Sequence, residues 1–237
     1  MAKEMTKAEK NELAKNEMPA WAGGGKGTEN TESGDLIVPR LGLIQALSPQ
    51  IKKTAPEFIE GADQGMLFNT VSGELYGDSI VFVPCYYKKE YVIWKNREAG
   101  GGFCGSFDNE IEANEAAAGL GIEPFGKKKE PLHEVQETAN HYGLVLRGDN
   151  VEQVVLSLSR AGMKTSRQLL TQARMAGGDY FASQYKLTAS VETNSNGDEY
   201  WGIRAQRIGW VTEEIYREGE KVYEAVSGGK ARASEAA

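Results

Sequence analysis

Arg160, Lys164, Arg167 and Arg174 recur at i, i+4, i+7 and i+14, with Thr171 filling the gap. On a helix turning about 100° per residue, these side chains fall within roughly 40° of one line. A line of cations can neutralise an anionic partner, phosphates above all. From Arg160 to Ala176 there is no Asp or Glu, although acids outnumber bases 34 to 27 in the chain. A helix face that only meets water usually mixes signs. The bland alternative is a solvated face whose long stems lie over apolar neighbours. Met163, Ser166, Leu169, Leu170 and Ala173 form the second face, with Leu169 and Leu170 as core anchors and the basic line along its border.

Two further groups interleave aromatics with bases. Tyr86, Tyr87, Lys88, Lys89, Tyr91, Trp94, Lys95 and Arg97 form the first; Tyr185, Lys186, Tyr200, Trp201, Arg204, Arg207 and Trp210 form the second. Bases of single-stranded nucleic acid stack on aromatic faces while cations follow the backbone. Strand alternation limits what can share a face. Tyr87, Lys89, Tyr91, Ile93 and Lys95 have one parity and Tyr86, Lys88, Glu90, Val92 and Trp94 the other, the first being the better candidate. In the last strand Tyr200, Arg204 and Gln206 oppose Trp201, Ile203 and Arg207. Taken singly, each aromatic fits a core position; taken together, they fit a binding surface.

Catalytic patterns are weak. His133 and His141 fit satisfied strand or surface residues, and with Cys85 and Cys104 they match no zinc spacing. No nucleophile is accompanied by a supporting base. Asp108, Glu110, Glu112 and Glu115 read as a solvated helix face. The expectation is a protein without catalytic residues, metal or cofactor.

The elements that must position these residues follow from the rest of the chain. Its 237 residues, 40% apolar and 26% charged, suit one globular domain with appendages. A net charge of −7 argues against coating nucleic acid by bulk charge, though a local basic face is compatible with it. Two cysteines give no disulfide framework. Met1–Lys15 is polar and charged, and no apolar run nears the roughly 20 residues of a membrane span. These features predict a soluble, cytoplasmic protein that engages no membrane.

Residues 1–34 read as a disordered tail, with a short charged helix over Lys3–Met18 and a linker from Gly23 to Gly27. That glycine run lacks the second Gly-Lys-Ser/Thr of a phosphate-binding loop. A core over 35–211 follows. Leu36–Gln45 reads as an edge strand or extended entry because of Pro39. Gly65–Val71, Ser79–Pro84, Tyr86–Trp94, His133–Glu137, Tyr142–Arg147 and Val151–Ser159 are strand-like. Residues 99–131 form an insertion with an acidic helix over Asp108–Ala118 and Lys127–Lys129 at its other end. The basic helix, Arg160–Ala176, stops at Gly177-Gly178. Tyr185–Thr193 and Glu199–Trp210 make a hairpin around Asn196-Gly197. A helix over Thr212–Val226 and a short tail complete 212–237.

The predicted class is mainly β with helices (α+β). A helix between the third and fourth of five strands fits the OB-fold barrel, with an α+β sandwich of the same element order as the alternative. Three stretches carry a family resemblance: Val38-Pro39-Arg40-Leu41 through Pro49, with Glu60-Gly61-Ala62 and Phe68-Asn69-Thr70; Val83-Pro84 with Tyr91 and Trp94; and Leu156–Ser159 through the basic helix to Tyr185-Lys186-Leu187. On these the chain resembles phage-encoded single-stranded DNA-binding proteins of the OB-fold type. The resemblance implies non-sequence-specific binding of single-stranded DNA in phage replication, recombination or repair, with no cofactor. Replication or recombination proteins become candidate partners, and a homo-oligomer is compatible with it. The expected contacts are Arg160, Lys164, Arg167, Arg174, Lys89, Tyr87, Tyr91, Lys95, Lys186, Tyr200, Arg204 and Arg207. Ser227–Ala237 departs from the family's acidic tail, having one acid, Glu235, beside Lys230 and Arg232. The competing reading is a phage interaction protein that binds and inhibits or redirects a host enzyme, without touching nucleic acid. Net acidity and the acidic insertion would suit a basic host surface. A small hydrolase would need a polar pocket that the sequence does not reveal.

Overall fold

Alternation along the strands sorts the apolar residues into two layers of core. In the computed structural model, Phe82, Val145, Val154 and Leu156 lie in one layer, while Val83, Leu144 and Val155 lie in the other. Neighbouring strand residues point to opposite faces, so one sheet carries a core on each side. The structure describes residues 38–96, 99–121, 132–148, 150–194 and 196–228, all within the unit Ile37–Ala237. The expectations for residues 1–34, for Lys127–Lys129 and for the end of the C-terminal tail lie outside these residues.

The described residues form two sheets and three α-helices. Strands β1 (Leu41–Leu43), β2 (Leu67–Asn69) and β3 (Leu75–Gly77) make a small antiparallel sheet in that order. The larger sheet contains β4 (Ser79–Lys95), β5 (Phe103–Phe107), β6 (His133–Arg147), β7 (Asn150–Ser159), β8 (Ser183–Thr193) and β9 (Glu199–Trp210). Its order is β7-β6-β4-β8-β9, with β5 added beside the distal part of β4. The helices are α1 (Glu110–Gly119), α2 (Met163–Ala176) and α3 (Glu213–Ser227).

Several expected segments merge. Ser79–Pro84 and Tyr86–Trp94 are one strand, β4, with a register shift between Pro84 and Tyr86. His133–Glu137 and Tyr142–Arg147 are likewise one strand, β6. The supposed insertion contributes β5 to the sheet as well as α1. Helix ends follow local chemistry. Asn109 accepts a bond from the Glu112 N–H at 2.8 Å to start α1, and Thr212 accepts one from Ile215 at the start of α3. Gly177, at φ 76°, ends α2 in a conformation that suits glycine.

Among the described residues no sheet closes into a barrel, and the five-stranded OB-fold expectation is overturned. The two end strands, β7 and β9, do not pair. Closure would require the outward backbone groups of β9 to meet another strand, and side chains take them instead. Thr165 donates to the Ile203 carbonyl at 2.6 Å, and Gln172 donates to the Ala205 carbonyl at 3.2 Å while accepting from the Arg207 N–H at 2.9 Å. Helix α2 thus lies along the free edge of β9. On β7 the Val155 N–H donates to the Pro39 carbonyl at 2.8 Å, beside a single parallel bridge from Arg40. Unpaired strand edges invite foreign strands, and these contacts occupy them.

The helices divide between the faces. Met163 and Leu169 of α2 enter the core layer of Phe82, whereas Val222 and Val226 of α3 enter that of Val83. Asp108, just before α1, pairs with Lys88 at 2.9 Å. Lys88 has the parity of Tyr86, which packs on the α3 layer. Charge follows the same division. The α2 span holds Lys164, Arg167 and Arg174 with no acid. Helix α1 holds Glu110, Glu112 and Glu115 with no base, and α3 holds five acids against Arg217 and Lys221.

Candidate functional site

The basic line survives as geometry. Lys164, Arg167, Thr171 and Arg174 are all exposed, and Leu169, on the opposite side of the helix, is fully buried. Leu170 is only half-buried, so Leu169 alone anchors the turn. The line therefore faces solvent, away from the core, and not along the border of the packed face. Arg160 precedes the helix in a 3-10 turn at φ 49°, the sole non-glycine residue at positive φ among the described residues. Its guanidinium donates to Glu134 at 2.6 Å, so its charge is already matched. Among the described residues Lys164, Arg167 and Arg174 have no ion pair.

One flank of α2 borders a cleft on the outer face of the β8–β9 hairpin. Lys164 and Gln168 line it from the helix, Lys186, Thr188 and Glu192 from β8, and Arg204 and Gln206 from β9. Its volume is about 400 Å³. The hairpin register places Thr188 opposite Arg204 and Lys186 opposite Gln206, which brings the two strand cations onto one face. Glu192 accepts the Tyr200 hydroxyl at 3.0 Å and stands 3.8 Å from Arg204 Nε. That bond to a carboxylate raises the Tyr200 pKa above its ordinary value. The Thr165 and Gln172 bonds to β9 fix the helix against the hairpin and hence the cleft's width.

Of the twelve expected contacts, Lys164, Lys186 and Arg204 meet here, with Tyr200 beside them. The others are elsewhere. Lys89 lies 3.6 Å from Glu137, with its ammonium 5.3 Å from the Tyr91 ring centre. Lys95 closes the distal end of β4, where its N–H donates to Gly102. Tyr87 packs against the Phe82 layer and the His141 ring, with ring centres 5.2 Å apart. Arg207 donates to Ser183 at 3.0 Å and stacks 4.3 Å from the Trp210 ring. Lys164, Lys186 and Arg204 thus line a cleft containing no aromatic side chain, and the expected stacking rings are spent on packing or ion contacts.

This arrangement corrects the expectation of a single-stranded DNA-binding protein. Among the described residues the barrel that would carry such a groove does not form, and the paired floor of rings and wall of cations is not assembled. Gln168, Thr188 and Glu192 are lining residues that sequence reasoning missed. Gln168 sits one turn after Lys164 and Thr188 two residues after Lys186, so helix and strand periodicity carried both signals.

A second constellation resembles catalytic chemistry but is sealed. His141 has no exposed surface; its Nε2 is 2.9 Å from Ser166 Oγ and its Nδ1 is 2.7 Å from the Tyr180 hydroxyl. A neutral imidazole donates through one nitrogen and accepts through the other, so both partners are satisfied. Burial pushes the His141 pKa down to about 4. Ser166 is 1% exposed, and no substrate reaches its hydroxyl. The trio pins α2 to β6. Among the described residues no cluster of His, Cys, Asp and Glu could hold a metal ion, and no helix is long and apolar enough to cross a membrane.

Comparison with known proteins supplies the family. The chain belongs to the Pam3 phage gp34-like protein family, whose profile matches residues 8–232. No curated protein and no solved structure matches it.

Proposed function

We propose that this phage-family protein is an interaction protein that binds a host enzyme and inhibits or redirects it without engaging nucleic acid. The observation that carries the reading is helix α1. It buries only Ala113, and it leaves Ile111 72% exposed beside Glu110, Glu112 and Glu115. Those three carboxylates have no ion pair among the described residues, whereas Glu134, Glu137, Glu152 and Glu192 are all matched by cations. A helix with so little buried surface gains little from the fold it decorates. Its acids, with an apolar residue among them, suit a basic partner surface with an apolar centre.

The test is affinity capture from extract of the phage's host, using the wild type and a Glu110→Gln, Glu112→Gln, Glu115→Gln variant. One host enzyme should be retained stoichiometrically by the wild type, lose or change its activity when bound, and be released by the variant. A wild type that captures nothing, or equal capture by both proteins, would overturn the reading. So would tight binding of an oligonucleotide.

A further inference from the structure

The basic cleft between α2 and the β8–β9 hairpin has no role in folding that its contacts reveal. Lys186 and Arg204 are exposed, and Lys164 adds a third cation from the helix. Three like charges around one hollow repel each other, which a structural surface would avoid. Glu192 offsets only one of the three charges, pairing with Arg204 at 3.8 Å while it accepts the Tyr200 hydroxyl, so the cleft keeps a cationic excess.

We infer that this cleft receives an acidic peptide segment of the partner, whose carboxylates pair with Lys164, Lys186 and Arg204. The inference rests on the reading of the chain as an interaction protein and names a second contact for it, on residues separate from α1. Charge complementarity argues for an anion. The lining argues for a peptide: Gln168, Thr188 and Gln206 offer hydroxyl and amide groups to a peptide backbone, and no aromatic face is present for a base. Size agrees as well. Along β8 the lining runs from Lys186 to Glu192, roughly 20 Å at strand rise, the reach of about six extended residues. The bonds from Thr165 and Gln172 to β9 keep the two walls at a fixed separation, so the site is formed before its occupant arrives.

Fluorescence anisotropy of a fluorescein-labelled oligoglutamate peptide tests this on the full chain. The wild type should bind it, and the Lys186→Ala, Arg204→Ala double variant should bind about tenfold more weakly. An Arg217→Ala, Lys221→Ala variant on α3 should bind like the wild type, as should the α1 glutamine variant. Urea unfolding of each protein separates lost binding from lost folding. Absence of binding by the wild type, or unchanged binding by the double variant, overturns the inference. Displacement of the peptide by oligothymidylate or inorganic phosphate at lower concentration than by unlabelled oligoglutamate also overturns it. Host-enzyme capture that persists in the double variant while peptide binding fails sinks this site and leaves the interaction reading intact.

Discussion

Gln45 and Trp201 hold each other by two hydrogen bonds: the Gln45 side-chain amide donates to the Trp201 carbonyl at 2.8 Å and accepts from the Trp201 N–H at 2.9 Å. A single glutamine, 156 positions away in sequence, thus does for one residue of β9 what a neighbouring strand would do. Thr165 and Gln172 continue the pattern along the same edge.

Gln45→Ala should therefore expose a partly buried N–H and carbonyl without a partner. Leaving such groups unmatched costs about 1–3 kcal/mol each at most sites. The expected outcome is a lower urea midpoint at unchanged slope, with concentration-dependent light scattering as the edge becomes free to pair. An unchanged midpoint would show that water replaces the glutamine without loss.

His141 should make stability fall in mild acid. Its folded pKa lies near 4, below the ordinary 6.5, so between these values the unfolded chain binds a proton that the folded chain excludes. Its contribution is fully present above about pH 6.5 and is lost as the pH falls towards 4, by up to about 3 kcal/mol. Urea unfolding from pH 7.5 to 4.5 should show this slope, and His141→Gln should flatten it at the cost of overall stability.

Gly143 sits across from the irregularity in β4. A Cβ there would collide with the Val83 carbonyl and lie 2.6 Å from the Phe82 ring. Gly143→Ala should destabilise the chain by about 1–3 kcal/mol, as overpacking of a rigid core does. Thermal unfolding would reveal it; a wild-type melting point would mean that β4 and β6 can part freely.

The two cysteines should differ in reactivity. Cys85 is 1% exposed, and burial pushes its thiol up to about 12, whereas Cys104 is partly exposed. Titration with a thiol reagent at neutral pH should modify Cys104 rapidly and Cys85 only after denaturant is added. Equal rates would show that the sheet opens around Cys85.

Local elements were legible because local chemistry makes them. The basic helix ends at Ala176 as expected, though it starts at Met163 after a 3-10 turn over Arg160–Gly162; the hairpin around Asn196-Gly197 appears with its first strand two residues longer, and the Thr212 cap falls where expected. The parity of Tyr87, Lys89 and Tyr91 was also readable, since the shift at Pro84–Tyr86 falls before them. Barrel closure was not readable. It depends on whether β7 and β9 meet, and that is decided by Gln45, Thr165 and Gln172, ordinary polar residues with no periodic mark. The solvent-facing set of the basic line was partly legible: Leu169 fixes the buried side, but Leu170 beside it carries the same apolar signal and remains half-exposed. Lys164, Lys186 and Arg204 were each identifiable as cations, yet their convergence needed the register of β8 against β9.

Among the described residues, the division of charge between α2 on one face and α1 with α3 on the other makes an electric dipole within a chain of net charge −7. In the field of a charged body such a molecule feels a torque before it feels a contact. Its orientation on arrival is then set at a distance of about one Debye length, near 8 Å in physiological salt. Which helix touches first is decided in the approach, and added salt would leave the encounter to chance.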